Sequence, residues 1–453
     1  MYSEASLKRT IPARSIVLED PGSFSWGLAF LLLFTLFLVG RIQEVVPALG
    51  SVRAVLISGG LAGLFWLLAP GSFQEKIPMR TPQVNYVVWL FLLAVLLVPV
   101  SVWPGNSLAY IVGAYWKTVL FFLMVVFWAR SVVDMRRIIW ASCLGVSALV
   151  LSGVASGAAV ERFHAGSISY DANDLAFVIV IALPLMVYLF SISRLPLKVL
   201  VSGMIFISLY GVVLTQSRGG FLALVVVGLL ILLRSRGGMA GKVGIIALAL
   251  VVFGSLAGVH YWDRMFTILA DDTGTGRTEV WKTGLGILAT HPWGVGIDNF
   301  TIAEGMVHGG FGKWNTAHNS FLQLAVELGI VGFFVFIVLI TATIRDLWRI
   351  QATPEEKASP KTSRQQNLSD ALRVKGPLRP GLLPLANALE TSLLGFVIGG
   401  FFLSQAYSPL LYCILALSLA CKRMVREPDK LHGPFPMKKE GTIKMRRVVG
   451  GSD

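Results

Sequence analysis

The stretch TAHNSFLQLAVELGIVGFFVFIVLITATI, residues 316–344, leads from a histidine into an apolar segment that meets no Lys or Arg before Arg345. An apolar run of about 17 to 25 residues is long enough to cross the roughly 30 Å of hydrocarbon in a bilayer as a helix. The part from 319 to 344 meets that length. Comparable runs lie on either side, near 24–40, 52–70, 84–102, 108–128, 138–157, 174–190, 199–215, 220–233, 243–260, 386–403 and 407–421. Backbone amides and carbonyls in lipid must be satisfied within their own segment, so these runs predict an all-α polytopic protein with about 12 transmembrane helices. The composition agrees. The 453 residues are 55% hydrophobic and 14% charged, with a mean hydropathy of +0.71, which is too apolar for a water-soluble globule.

The net charge is +14, and its placement along the spans carries more information than its size. With the N-terminus set inside the cell, most of the 39 Lys and Arg fall in the segments left inside. This asymmetry orients the chain and divides it. Residues 1–23 form an inner N-terminus, 24–260 carry helices one to nine, and 261–317 form one large outer loop. Residues 318–344 are the tenth helix, 345–385 an inner loop, 386–421 the last two helices, and 422–453 a basic inner tail. The positive charge is scattered and forms no patch interleaved with aromatic residues, so nucleic acid is not an expected partner. The first apolar run is followed by RIQEVVP instead of a small-residue cleavage site and is expected to stay as a span. Cys143, Cys413 and Cys421 have no metal-ligand spacing and are expected to be packed thiols.

Chemistry-bearing residues gather on the outer side. On a continuous helix at about 100° per residue, His318 and Gly329 fall within about 20° of one another. Ala325 and Gly332 share that face, so Gly329 and Gly332 are expected to pack against a neighbouring helix while His318 stands at the water boundary. His318 then either caps the helix or serves as a base. Glu327, nine residues on, falls on the opposite face. In LTQSRGGFLAL, residues 214–224, Arg218 sits in a two-glycine turn on the less positive side, where it either snorkels to headgroups or meets an anion. In TGTGRTEVWKTGLGILATHPWGVGIDNF, residues 273–300, Arg277 opens an amphipathic helix. That helix carries Val280, Trp281, Leu285 and Leu288 on one side, ends at His291-Pro292, and suits the outer face of the bilayer. Arg277 either pairs with Asp271, Asp272 or Glu279 or binds an anion. Lys117 near mid-membrane, and Arg162 and Asp174 flanking the ERFHAGSISYDAND loop, are further cavity-lining candidates, with snorkelling or a bundle contact to Tyr115 or another polar group for Lys117, and an Arg162–Asp174 ion pair, as the bland readings. His291 and His308 are read as loop-lining.

Four blocks in this order, SYDANDLAFVIVIALPL (169–185), LTQSRGGFLAL, the R…W…HPWGVGIDNF segment and AHNSFLQLAVELG, resemble the O-antigen ligase and O-antigen polymerase family of bacterial envelope glycan transferases. The last block fits the family's His-x10-Gly pattern through His318 and Gly329. One position departs, since the family's Arg-x3-Leu is met here by Arg277 and Trp281. The resemblance implies a GT-C-like helical glycosyltransferase in the bacterial inner membrane, with its site facing the periplasm and no cofactor or metal. Its implied partners are an undecaprenyl-diphosphate-linked glycan donor, a glycan or lipid acceptor, and the bilayer. It implies diphosphate binding by Arg218 and Arg277 and a catalytic His318. The competing class is a polytopic transporter or lipid-linked glycan flippase; against it stand the single large outer loop and the scarcity of acids at span centres.

Overall fold

The computed structural model describes residues 25–46, 52–69, 76–79, 81–155, 171–235, 274–310, 314–352 and 381–426, with isolated positions between them. Arg162, the ninth expected span at 243–260, most of the 345–385 segment and the tail after Arg426 lie outside the described residues. Regular structure among the described residues is helical throughout. We number the principal helices α1 (Trp26–Gly40), α2 (Ala54–Leu68), α3 (Pro82–Leu97), α4 (Pro104–Trp128), α5 (Val132–Ala155), α6 (Ala172–Ile192), α7 (Leu195–Thr215) and α8 (Arg218–Arg234). They continue as α9 (Gly274–Thr290), α10 (Phe300–Val307), α11 (Ser320–Gln351), α12 (Leu382–Gly399) and α13 (Pro409–Arg426). Seven of the described helices are long and apolar enough to cross a membrane, namely α3 to α7, α11 and α12, while α1 and α2 are shorter apolar helices. The chain is therefore a multi-pass membrane protein. Apart from the ninth, each expected apolar run coincides with a described helix.

The bundle is built around α6, whose residues from Ala172 to Leu189 are almost all buried. It packs against α5, α7, α8 and α12, and α11 joins it through α12. Cys143, Cys413 and Cys421 are free thiols buried in this packing, as their sequence context implied. One end of the bundle is fastened by charge. Glu390, 1% exposed, accepts hydrogen bonds from Arg234 (2.5 Å), Trp348 (2.6 Å) and Gln351 (2.5 Å), tying α8, α11 and α12 together. Nearby, Asp346 takes Lys422 at 2.5 Å, joining α11 to α13. A buried carboxylate is tolerable when it is paired and its lone pairs are filled, as both are here.

At the opposite end the expected geometry of α11 is corrected twice. His318 lies before the helix, with φ 43°, and the N-cap is Asn319, whose side chain accepts from the amides of Phe321 and Leu322 at 3.0 Å. An amide side chain at that position satisfies the orphan donors of the first turn better than an imidazole. Nor does the helix run unbroken to Gly329, which adopts φ 71° and ψ −177°. His318 and Gly329 therefore do not share a helix face. The break leaves the carbonyls of Val326 and Glu327 without the amides that an intact helix would supply four residues on. They accept instead from the amides of Val295 and Gly296, each at 2.9 Å, while the Ile330 amide donates to the Pro292 carbonyl at 2.9 Å. Gly329 is thus a docking point for the HPWGVG segment and not a helix-packing glycine. Gly332 does face another helix, with a Cβ built there meeting Leu93 of α3 at 3.3 Å.

Candidate functional site

Residues 274–310 and 314–319, with Val326 of α11, build a layer at this end of the bundle with its own small core of Ile287, Val295, Phe300, Ala303, Ala317 and Val326. Helix α9 ends at His291-Pro292 as its sequence implied, since proline cannot continue the ladder. Its packed side differs in one residue from the expectation. Val280 and Leu288 lie against the small core and Gly284 abuts Phe300 and Leu322, whereas Leu285 is exposed, because it stands about 140° from Val280 on the helix. The apolar side of α9 is thus spent on α10 and the start of α11. The GVGIDN turn is pinned to Val102 and to the first turn of α4. Ser107 donates to the Ile297 carbonyl at 2.8 Å, the Val102 amide to the Val295 carbonyl at 2.9 Å, and Asn106 to the Asp298 carbonyl at 2.8 Å. Burial raises the Asp298 carboxyl above its usual range, while the Asn106 hydrogen bond pulls it back.

This packing opens a cleft of about 370 Å³ lined by Arg277, Glu279, Val280, Glu304, His308, Asn315, Thr316 and His318 among others. Arg277, early in α9, and His318, just before α11, thus share one cleft, though far apart in the chain. The approach to His318 is a short strap, residues 314–318, held at several points. Glu304 of α10, 1% exposed, accepts from the Asn315 backbone amide and from the Asn315 side chain, both at 2.9 Å. It also lies 3.3 Å from His308. Trp281 donates from its indole to the Ala317 carbonyl at 3.0 Å, which gives the residue that departs from the family's leucine a defined contact. Thr316 Oγ1 and His318 Nε2 are 3.1 Å apart.

Arg218 does not line this cleft. It is the first residue of α8 behind the N-cap Ser217, at the same end of the bundle. A Cβ on the adjoining Gly219 would meet Phe402 at 3.0 Å. The segment that receives it, 400–405, also receives the start of α11, because the Ser320 amide donates to the Gly400 carbonyl at 2.7 Å and the Ser320 hydroxyl to the Leu403 carbonyl. Ser217 donates to Asn173 at 2.8 Å, and Gln405 hydrogen-bonds Asp174. Asp174, Arg218 and the residues beside His318 therefore converge on one connecting segment. Lys117 is not in the cleft lining, and its ammonium donates to the Gly113 carbonyl of its own helix. His291 stands at the end of α9, paired with Thr290 at 3.0 Å, and has no place in the cleft lining. Glu327, 1% exposed, bonds Gln323 at 3.1 Å.

Sequence reading missed Glu304, Asn315 and Thr316. Glu304 looks like one more acid of a polar loop, and a carboxylate meeting an amide across a turn has no fixed spacing to search for.

The helices and the cleft define a polytopic membrane protein whose polar site is set at one end of its bundle. Residues 203–337 match the family described as O-Antigen ligase, which bears out the resemblance carried by the motifs and gives the chain a ligase-like domain of membrane glycan processing. The matched segment contains Arg218, Arg277, His318, Gly329 and Gly332 and begins after Lys117 and Asp174. No curated protein matches the chain.

Proposed function

We propose that the protein is a membrane glycosyltransferase that moves a glycan from undecaprenyl diphosphate to an acceptor hydroxyl at the periplasmic face of the bacterial inner membrane. The observation that carries this reading is the cleft in which Arg277 and His318 stand together. In the transfer, the acceptor oxygen attacks the anomeric carbon as the bond from that carbon to the diphosphate breaks. The acceptor proton passes to His318, and negative charge grows on the departing diphosphate. Imidazole suits the first task because its ordinary pKa lies near neutrality. In the tautomer whose Nε2–H donates to Thr316, 3.1 Å away, His318 Nδ1 carries the lone pair that a base requires. Guanidinium suits the second, since its planar fork matches phosphate oxygens and its charge is strengthened where water is excluded. Arg277 supplies it within the cleft, and Arg218 supplies it from the start of α8. Neither task needs a metal.

The test is transfer from a purified undecaprenyl-diphosphate glycan in reconstituted membranes. His318→Ala is expected to slow turnover by about 10² to 10⁴ while donor binding persists. Arg277→Ala is expected to weaken donor binding and turnover together. A chelator should leave the wild-type rate unchanged. Near wild-type transfer by His318→Ala would remove the base from this mechanism.

A further inference from the structure

The strap that delivers His318 is anchored by a buried acid which the transfer chemistry does not use. Glu304 is almost wholly enclosed, and Asn315 donates to both its oxygens, from the backbone amide to Oε2 and from the side chain to Oε1, which also lies 3.3 Å from His308. A second anchor lies beside it, where Gly305 leaves room for the Trp314 ring; a Cβ there would meet that ring at 2.7 Å. Three residues beyond Trp314, Trp281 holds the Ala317 carbonyl. These contacts fix residues 314, 315 and 317, and His318 follows with a left-handed backbone of φ 43°. A lost anchor would displace the imidazole and leave α11 and its Asn319 cap in place.

We propose that Glu304 is a positioning residue for transfer, its paired hydrogen bonds to Asn315 fixing the strap that sets the His318 ring in the cleft. This rests on the reading of His318 as the base. The contacts also dictate a chemical swap. An amide introduced at 304 can accept from the 315 backbone but confronts the Asn315 amide with a second donor. A carboxylate introduced at 315 confronts Glu304 with a second acceptor. Made together, Glu304→Gln and Asn315→Asp restore both hydrogen bonds with the polarity of one reversed, and they conserve the net charge of the cleft.

The experiment measures kcat and KM for the undecaprenyl-diphosphate glycan in the full-length protein, with folded protein in the membrane quantified for each variant. Glu304→Gln and Asn315→Asp alone are each expected to lower kcat by about 10- to 100-fold, the scale of a misplaced reacting group, with KM changed less than about 3-fold. The double variant is expected to return within about 5-fold of wild type. In a His318→Ala background, Glu304→Gln should change the residual rate less than about 2-fold, because groups acting as one unit are not additive. Full activity in Glu304→Gln, no recovery in the double variant, or an undiminished loss in the His318→Ala background would each overturn the positioning role. The base assignment fails separately, through an active His318→Ala.

Discussion

At the scale of single residues the cleft end of the bundle holds charged groups beside groups that fix a neighbour in place. Arg277 and His318 line the cleft directly, and Arg218 stands at the start of α8 against the segment that also holds the start of α11. If Arg218 grips the diphosphate, a point charge cannot replace its fork. Arg218→Ala is then expected to reduce transfer by about 10² to 10³, the effect of removing one charge-stabilising donor, and Arg218→Lys to recover only a small part of it. Equal activity in Arg218→Lys and wild type would show that charge alone matters there. Arg277 and His318 were legible as candidates because each falls in one of the motifs that follow one another along the chain. The Glu304 to Asn315 contact was not, since it exists only once the loop has folded over α10.

At the scale of elements, α11 is the piece whose reading failed and whose failure is instructive. Its residues from Phe321 to Ile344 are apolar enough to be drawn as one straight span, and glycine is common in transmembrane helices, so nothing in composition marks a break. What marks it is the conformation of Gly329, which only glycine adopts readily and which costs another residue of order 1–3 kcal/mol. Space forbids substitution as well, since a Cβ there would lie 2.4 Å from the Trp293 backbone. Gly329→Ala is therefore expected to lower thermal stability in detergent and to abolish transfer by expelling the HPWGVG segment. Gly228→Ala in α8, where a Cβ meets nothing within 4 Å, is the companion substitution, expected to leave stability unchanged or raise it by up to about 1 kcal/mol. Equal behaviour of the two variants would mean that the break is not required. The helix face expected to hold both His318 and Gly329 is absent for a related reason. Asn319 follows immediately, and an asparagine at the mouth of an apolar helix is the stronger sign of where that helix starts.

At the scale of the whole molecule, hydropathy gave the helices because their lengths are imposed by the bilayer, and charge asymmetry gave an orientation that can be measured. The three native thiols are buried, so an introduced cysteine reports with little background. Val307→Cys, at an exposed position beside the cleft, is expected to react with a membrane-impermeant thiol reagent in intact cells once the outer envelope is permeable to it. Reaction only after the inner membrane is opened would reverse the orientation and move the cleft to the cytoplasm. The fastening of α11 to the HPWGVG segment bears on synthesis too. A chain is made from its N-terminus, so Pro292, Val295 and Gly296 leave the ribosome before Gly329 does. The groups that fill the interrupted helix therefore precede the interruption, and its carbonyls have partners already made when they emerge.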